Sequence, residues 1–490
     1  MNKTIRNAAA FCLLLVLALL VRVTWVQAYE AKALADNDHN RRKIIAQYAQ
    51  PLGDIIVAGS PVTGSQRTTG GDLAYKRTYT DGALYSAVTG YSSQAYGSTQ
   101  LEGIHSELLG APAGQGSGGT DARLKNPLDA LTGKRQKPGD VLTTIDPAVQ
   151  KAAYEALGDT KGAAVAIDPK TGSILGMVST PSYDPSTISG TSDSAAWKKL
   201  LDDPDKPLVN RALRQPLPPG STFKLVVAAA ALEDGLYGSV DEKTQSPDPY
   251  TLPGTTTVLK NENTSAPCEN ATIRTALQYS CNNVFAKLAA DLGQDKVRET
   301  AEKFGFNDKE QDVPVRAYPS VYPSGMDKAQ TALTGIGQFD VTATPLQMAM
   351  VSAAIANGGV MESPHMVAKT VDGDGNTLES YEDGPSERIV SESVAEELRS
   401  AMVTVVDEGT GTNARIDGAE VGGKTGTAQH GENNSKTPYA WFTSYAKSSE
   451  SGKEVAVAVL IEDSGAARSE VSGNGLAAPI AQKMMKAALT

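Results

Sequence analysis

The chain turns from a loop into an apolar helix at Pro218-Pro219-Gly220-Ser221-Thr222-Phe223-Lys224. Proline and glycine end the preceding segment, Ser221 stands where a helix N-cap is wanted, and residues 226–232 predict a buried helix behind it. Residues three apart on a helix share a face, so we expect Lys224 to lie beside Ser221. Such a pair indicates a serine nucleophile that is activated without a histidine.

A lysine accepts the serine proton only when the lysine itself is uncharged. Lowering its pKa from about 10.4 to about 7 or 8 requires roughly 4 kcal/mol from burial or from the repulsion of a like charge. We therefore expect a second lysine to converge on the same hydroxyl. Another Ser-x-x-Lys, at residues 444–447, follows aromatic residues that predict a strand, where residues three apart face opposite sides, so we interpret it as structural.

Length and composition indicate a globular protein of two or three domains, with 490 residues, 40% hydrophobic and 21% charged. The net charge of −11 argues against nucleic acid as a partner. No metal-ligand cluster occurs in the sequence, and we expect neither a metal nor a cofactor. His39, His105, His365 and His430 have no paired context, and we expect His105 to be a surface residue.

The N-terminus carries basic residues followed by an apolar run over residues 8–21. Positive charge before the run places its start in the cytoplasm. We predict a cytoplasmic tail and membrane anchor in residues 1–29, crossing the cell membrane once, with the rest of the chain outside the cytoplasm. The run is short for a span, so a signal peptide cleaved near Ala28 is the alternative.

The remainder divides into two predicted domains. Residues 30–125 have mixed, extended character without catalytic spacing and predict a non-catalytic pedestal domain, with linker composition at 111–120. Residues 140–490 predict an α/β domain with a largely antiparallel sheet flanked by helices and a helical insertion. Its predicted helices are 147–157, 272–292, 296–304, 345–356 and 478–489, and its predicted strands 162–167, 173–179, 421–426, 440–446 and 455–461.

Ser280-Cys281-Asn282 lies between two helical runs. A hydroxyl and a carboxamide two positions apart can present a proton relay and an amide-recognising group to one cleft. The pattern is weak alone, because residues 472–474 match it and a helix cap is the alternative. Cys268 and Cys281 are a disulfide candidate in an exported chain, worth about 3 kcal/mol, with two free buried thiols as the alternative.

Gly422-Gly423-Lys424-Thr425-Gly426-Thr427 supplies the expected second lysine. Glycines before and within a predicted strand indicate that another molecule's backbone can approach closely. Lys170-Thr171-Gly172 repeats the tripeptide, but in a predicted hairpin turn where it is ordinary turn chemistry.

Together and in this order, the three motifs resemble those of the penicillin-binding proteins and serine β-lactamases. Further similarity lies at 210–212, 335–338 and 440–442. With an anchor and a non-catalytic first domain, the chain is similar to class B penicillin-binding proteins, closest to their actinobacterial A type. The resemblance implies a β-lactam-inhibited D,D-transpeptidase that cross-links peptidoglycan stem peptides through a serine acyl-enzyme, in cell-wall growth or division.

The resemblance also implies a role for each motif residue. Ser221 would be the acylated nucleophile, Lys224 its general base, and Ser280 the group that passes the proton to the departing D-alanine. Asn282 would hold the donor peptide amide, and Lys424 would set the electrostatics of the site. Thr425 and Thr427, on either side of Gly426, would bind the terminal carboxylate. The backbone amides of Ser221 and Thr427 would form the oxyanion hole.

Implied partners are the cytoplasmic membrane, a membrane-embedded glycan polymerase, and division or elongation proteins. A D,D-carboxypeptidase and a non-enzymatic β-lactam-binding division scaffold remain alternatives. A β-lactamase is less consistent with the sequence, which has no convincing Glu-x-x-Asn loop after Ser280. Residues 51–54 lack the arginine usual in that stretch of the pedestal.

Overall fold

The structure is a computed structural model that describes residues 3–30, 44–45, 47–69, 71–110, 137–381, 384–431 and 434–490. The linker expected at 111–120, and most of the region between the two predicted domains, lie outside these ranges.

Helices and strands are numbered here in chain order. The α-helices are α1 (Lys3–Trp25), α2 (Gly82–Thr89), α3 (Gln100–Ile104), α4 (Ser106–Leu109), α5 (Pro147–Leu157), α6 (Ser194–Asp202), α7 (Arg211–Arg214), α8 (Lys224–Glu233), α9 (Ile273–Gln278), α10 (Asn282–Leu292), α11 (Gln294–Lys303), α12 (Lys328–Thr334), α13 (Pro345–Ala356), α14 (Glu392–Glu408) and α15 (Ala478–Leu489). The strands are β1 (Ile55–Val57), β2 (Ser60–Pro61), β3 (Thr63–Arg67), β4 (Tyr75–Tyr79), β5 (Ser92–Ser93), β6 (Gly97–Ser98), β7 (Asp140–Thr143), β8 (Lys161–Ile167), β9 (Ile174–Thr180), β10 (Tyr250–Thr251), β11 (Val258–Leu259), β12 (Val360–Glu362), β13 (Val367–Val371), β14 (Thr377–Ser380), β15 (Ser386–Arg388), β16 (Ala419–Ala428), β17 (Tyr439–Ser448) and β18 (Glu454–Asp463).

A five-stranded antiparallel sheet organises the larger part of the molecule, in the spatial order β16-β17-β18-β8-β9. Helices cover both faces, as the alternation along β18 shows. Ala456, Ala458 and Leu460 join the core that contains α13, whereas Val457 and Val459 join the core that contains α5 and α15. An inner strand buried on both faces therefore carries a nearly unbroken apolar run. The predicted antiparallel sheet flanked by helices is confirmed.

Helices α8 to α12 form the helical part of the domain. Helix α14 connects it to the β16 edge of the sheet, because α14 packs against both α8 and β16. The helical periodicity over residues 272–292 covers two helices, because the chain breaks at 279–281 between α9 and α10. Both helices bury an apolar face, so periodicity alone did not show the break. Ser280 lies in the break with a positive φ of 60°.

A second five-stranded sheet, in the order β14-β13-β7-β1-β2, joins distant parts of the chain. Strand β7 pairs in parallel with β1 and antiparallel with β13. The strands at 140–143 and 367–380, which follow the predicted start of the second domain, therefore share a sheet with the pedestal strand at 55–57. No strand was predicted at 367–380.

Arg77 of β4 contacts the stretch at residues 51–54. Its guanidinium donates to the carbonyl oxygen of Gly53 at 2.7 Å and lies 3.7 Å from the carboxylate of Asp54. It also bonds the buried carboxylate of Glu102, with Nη2 to Oε2 at 3.1 Å. The stretch that has no arginine of its own is therefore contacted by a buried arginine from β4.

His105 corrects an expectation, because it is buried in this part of the chain rather than exposed. Burial lowers the pKa of its imidazole, which favours the neutral ring. The sequence offered no partner for this histidine, and a neutral imidazole tolerates burial without a counter-charge.

Helix α1 continues through Glu30 as a helix of 28 residues, and an 18-residue stretch of it has a mean hydropathy of 2.5 with none of it buried. By length and composition it is able to cross a membrane, although a signal sequence would pass the same test. It is a candidate membrane anchor.

Candidate active site

The turn Gly220–Phe223 presents Ser221 at the start of α8. The helix begins at Lys224, and its N-cap position belongs to Phe223, so the expected N-cap role of Ser221 is wrong. The turn is a short 3₁₀ segment, in which Thr222 Oγ1 donates to Pro219 O at 2.8 Å. Within the described residues, the Ser221 hydroxyl has no hydrogen-bond partner.

Lys224 is fully buried and directed at the Ser280 region. Its ammonium nitrogen lies 2.8 Å from Ser280 O, 3.2 Å from Ser280 Oγ and 2.8 Å from Asn282 Oδ1. Ser280 and Asn282, which belong to the same predicted motif, therefore both contact Lys224 of the Ser221 motif.

Lys424 is also fully buried and approaches the same serine from β16. Its Nζ lies 3.1 Å from Ser280 Oγ and 3.0 Å from Thr425 O. The expected second lysine is therefore near Lys224. The hydroxyl that both nitrogens share belongs to Ser280, however, and not to Ser221 as the sequence led us to expect.

Burial is the main cause of the low pKa of both lysines. Burial lowers the pKa of Lys224 well below its usual value, and the positive charge of Lys424 lowers it further. Burial lowers the pKa of Lys424 to about 7. The carboxylate of Glu262 raises the pKa of both lysines and partly opposes these shifts. The arrangement favours an uncharged lysine at neutral pH, which a general base requires.

Asn282 is held by a residue that the sequence analysis missed. The N-cap of α10 is Cys281, whose side chain makes no cap. Instead Asn261 Oδ1 accepts from the backbone amides of Asn282 at 2.6 Å and Asn283 at 3.3 Å. The Asn282 side-chain amide donates to Lys260 O at 3.3 Å. No motif marks Asn261, because it acts across 21 positions of intervening loop.

Cys268 and Cys281 are joined in the structure, with an S–S distance of 2.00 Å and a Cα–Cα distance of 5.6 Å. The bond attaches the middle residue of Ser280-Cys281-Asn282 to the loop before α9. Asn283 Nδ2 donates to Cys268 O at 2.8 Å and ties the same loop again. The backbone that carries Ser280 and Asn282 is therefore fixed from two sides.

Strand β16 places residues 424–427 at an edge of the sheet, beside the turn that carries Ser221. A Cβ built on Gly220 would lie 3.2 Å from Ala428 Cα. The segments that carry the Ser221 and Thr427 amides are therefore adjacent. An edge strand leaves backbone groups available for pairing with an extended peptide.

The glycines of β16 have neighbours within this chain. A Cβ on Gly426 would lie 2.8 Å from Pro219 O, and Cβ atoms on Gly422 and Gly423 would lie 2.3 Å and 2.6 Å from the rings of Tyr445 and Phe442. The expectation that these glycines admit the backbone of another molecule is therefore wrong. They admit the nucleophile turn and two aromatic rings of the protein itself.

The two threonines of this motif differ in their surroundings. Thr425 is buried, and its Oγ1 lies 2.9 Å from Oγ1 of Thr410, a residue that no sequence pattern indicated. Thr427 is half-buried, and its side chain has no hydrogen-bond partner among the described residues. Its hydroxyl is therefore the one available to a ligand.

The second copies of the Ser-x-x-Lys and Lys-Thr-Gly motifs, at residues 444–447 and 170–172, lie in a strand and a turn of the sheet. Ser444 and Lys447 belong to β17, where Ser444 Oγ donates to Val457 O and Lys447 lies 3.0 Å from Glu454. Residues 170–172 form the turn between β8 and β9. His430 stacks on Tyr439 with ring centroids 3.9 Å apart. The structural interpretation of residues 444–447 and 170–172 is confirmed.

Comparison with protein families matches residues 162–486 to the penicillin-binding protein transpeptidase domain. Residues 52–141 match the penicillin-binding protein A dimerisation domain. The chain belongs to the penicillin-binding protein transpeptidase family.

Relatives of this penicillin-binding protein match over its whole length. Peptidoglycan D,D-transpeptidase PbpA of Mycolicibacterium smegmatis is 36% identical over 504 residues, covering 100% of this chain and 99% of the relative. The PbpA protein of Mycobacterium tuberculosis is 35% identical over 503 residues with the same coverage. These similarities confirm the resemblance to class B penicillin-binding proteins of the A type.

Solved structures agree with the fold. Penicillin-binding protein A from M. tuberculosis, as its ceftriaxone acyl-enzyme complex, has a TM-score of 0.81 at 35% identity and covers 91% of this chain and 100% of that chain. Its penicillin G acyl-enzyme complex has a TM-score of 0.79 at 35% identity, covering 90% and 100%.

Proposed function

We propose that this chain is a peptidoglycan D,D-transpeptidase that cross-links stem peptides through an acyl-enzyme on Ser221. The observation that carries the proposal is the meeting of two buried lysines at Ser280 Oγ beside the Ser221 turn. The β-lactam acyl-enzyme complexes of a relative that matches the whole chain support the same chemistry.

In acylation, Ser221 Oγ attacks the carbonyl carbon of the peptide bond before the terminal D-alanine. Lys224 in its neutral form takes the hydroxyl proton. A neutral amine has two N–H donors, which Ser280 O and Asn282 Oδ1 satisfy at 2.8 Å each. Its lone pair is then left for a hydroxyl proton, which is the requirement for a general base.

Proton delivery to the departing D-alanine is assigned to Ser280. A charged Lys424 donates to Ser280 Oγ, and the serine proton is then free to point at Lys224 or at the leaving amine. The positive φ of Ser280 supports a functional role, because a non-glycine residue in this conformation is strained and persists where its surroundings enforce it.

The donor peptide is assigned to the edge of β16. Asn282 would hold its amide, while Lys424 and the Thr427 hydroxyl, with Thr425 and Gly426 completing the strand, would receive its terminal carboxylate. The amides of Ser221 and Thr427 would stabilise the oxyanion, a contribution of about 3 to 4 kcal/mol per donor in other enzymes.

The wider setting is part of the proposal. We assign α1 as a single membrane span that leaves the catalytic part outside the cytoplasm. Neither family match is to a glycan polymerase, so the glycan strands would come from a separate membrane-embedded polymerase acting with division or elongation proteins.

Two measurements test the proposal in sequence. Intact-mass spectrometry should show one penicillin G adduct on the wild type and none on Ser221→Ala, and an adduct on the variant would reject Ser221 as the nucleophile. A stem-peptide donor with an amine acceptor should then give cross-linked product. Free D-alanine without product, at saturating acceptor, would assign the chain as a D,D-carboxypeptidase. Acylation by penicillin without turnover of either kind would indicate a β-lactam-binding scaffold.

A further inference from the structure

Glu262 directly follows two residues that contact the active-site residue Asn282. It follows Lys260 and Asn261, whose backbone and side-chain oxygens accept hydrogen bonds from Asn282 at 3.3 Å and 2.6 Å. Its side chain is exposed, and it makes neither an ion pair nor a hydrogen bond with any residue that the structure describes. An exposed carboxylate that pairs with no described residue thus belongs to the loop segment that holds Asn282.

The negative charge of Glu262 acts on the centre of the site. It raises the pKa of both Lys224 and Lys424, and in the described part of the chain it is the carboxylate that acts on both. Glu269, seven positions later in the same loop and also exposed, has no such effect on either lysine. The field of Glu262 therefore reflects its position rather than the overall acidity of the loop.

The proposed reaction creates a need for such a charge. The donor peptide and penicillin carry a carboxylate, which Lys424 attracts. The acceptor is a primary amine that is an ammonium ion at neutral pH, so the same lysine repels it. An exposed carboxylate at the rim offsets that repulsion for the acceptor and contributes nothing favourable to the anionic donor.

We propose that Glu262 is the residue that binds the acceptor ammonium of the second stem peptide, an inference that rests on the proposed transpeptidase function. The bound ammonium first releases one proton to water. The nitrogen lone pair then forms the C–N bond to the acyl carbon, the ester C–O bond to Ser221 breaks, and the proton lost by nitrogen returns through Lys224 to Ser221 Oγ. Glu262 positions the acceptor and takes part in no bond change.

Glu262→Gln tests the inference, with Glu269→Gln as the matched control on the same loop. On the pH plateau, where Lys224 is neutral in both proteins, acylation of Glu262→Gln by penicillin G should stay within about twofold of the wild type, because no ion pair to the anionic ligand is lost. The KM for an ammonium acceptor should rise about threefold to fivefold, the effect of losing one exposed ion pair, and the rise should shrink at high salt. Glu269→Gln should change neither value.

A neutral acceptor sharpens the test. Hydroxylamine is uncharged at neutral pH, so its transfer rate should be equal in Glu262→Gln and the wild type. An unchanged KM for the ammonium acceptor in Glu262→Gln, or an equal loss with hydroxylamine, would overturn the inference. Failure of the wild type to transfer to any acceptor would instead reject transpeptidation itself, and the inference with it. Normal penicillin acylation shows that the variant is folded.

Discussion

Two regions of the molecule bury cationic side chains in opposite surroundings. In the pedestal, Arg77 has no exposed side-chain surface and lies against the carboxylate of Glu102, whose side chain is 1% exposed. At the active site, Lys224 and Lys424 are equally buried, but no carboxylate among the described residues forms an ion pair with either, and the positive charge of Lys424 acts on Lys224.

The same burial therefore has two outcomes. Burial acts to lower the pKa of Arg77, yet the charge and hydrogen bonds of Glu102, together with the charges of Tyr79 and Asp54, raise it overall, and the guanidinium keeps its proton. The lysines have no such partner, and their pKa values fall. A buried cation with a carboxylate holds structure together, whereas a buried cation beside another cation becomes a base.

Lys224→Ala removes the buried lysine that acts as the base and should have the largest effect on the rate of acylation. Penicillin acylation should slow by about 10²- to 10⁴-fold, because no positioned base remains for Ser221. Lys447→Ala, which removes the lysine of the repeated Ser-x-x-Lys in β17, should leave the rate unchanged. Stopped-flow acylation kinetics measure both, and an unchanged rate in Lys224→Ala would assign the base elsewhere.

Arg77→Met tests the structural side. It leaves Glu102 buried without a counter-charge, which should lower the free energy of unfolding by about 3 to 5 kcal/mol. Denaturant unfolding checks this, with Arg316→Met as the control, since that arginine is exposed beside Asp312 and its loss should be nearly silent. Acylation of the folded Arg77→Met protein should match the wild type, and a large loss there would show that the two regions are not separate.

The bridge between Cys268 and Cys281 links structure to reactivity. The double Cys→Ser variant should lose about 3 kcal/mol of unfolding free energy. Because Cys281 adjoins Ser280, acylation should also slow, by up to about 10²-fold if Ser280 is displaced. An unchanged free energy of unfolding together with a wild-type acylation rate would mean that the bridge neither stabilises the fold nor positions Ser280.

Lys424→Met should lower the acylation rate, because its contacts to Ser280 and to the ligand carboxylate are lost, and it should also have a more specific effect, a change in pH dependence. Loss of its charge removes one of the causes that lower the pKa of Lys224. The acidic limb of the pH–rate profile for acylation should therefore shift to higher pH, by about one pH unit for the loss of a neighbouring charge. The limb should stay below the ordinary lysine value because burial, the larger cause, persists. A downward shift would contradict the repulsion.

The sequence predicted what depends on local patterns. The Ser221–Lys224 turn, the strands at 421–461 and helices α5, α13 and α15 follow from turn residues, alternation and apolar runs. Lys424 was expected near Lys224 because serine chemistry requires a second cation, and the structure brings both lysines to Ser280.

What was missed depends on contacts between distant segments. Asn261 supplies the cap of α10 from a loop, and β13 joins the pedestal sheet from more than 200 positions beyond β7. Neither leaves a periodic signal. The neighbours of Gly426 were misjudged for the same reason, since a glycine in a strand shows that something is close but not what.

The pH dependence of wild-type acylation by penicillin G tests most directly whether Lys224 is a neutral base at physiological pH. The second-order rate constant should fall in acid as Lys224 gains a proton, and it should reach its plateau well below pH 10.5, the ordinary value for lysine. A rate that keeps rising tenfold per pH unit up to about pH 10.4 would show an unperturbed lysine and contradict the account.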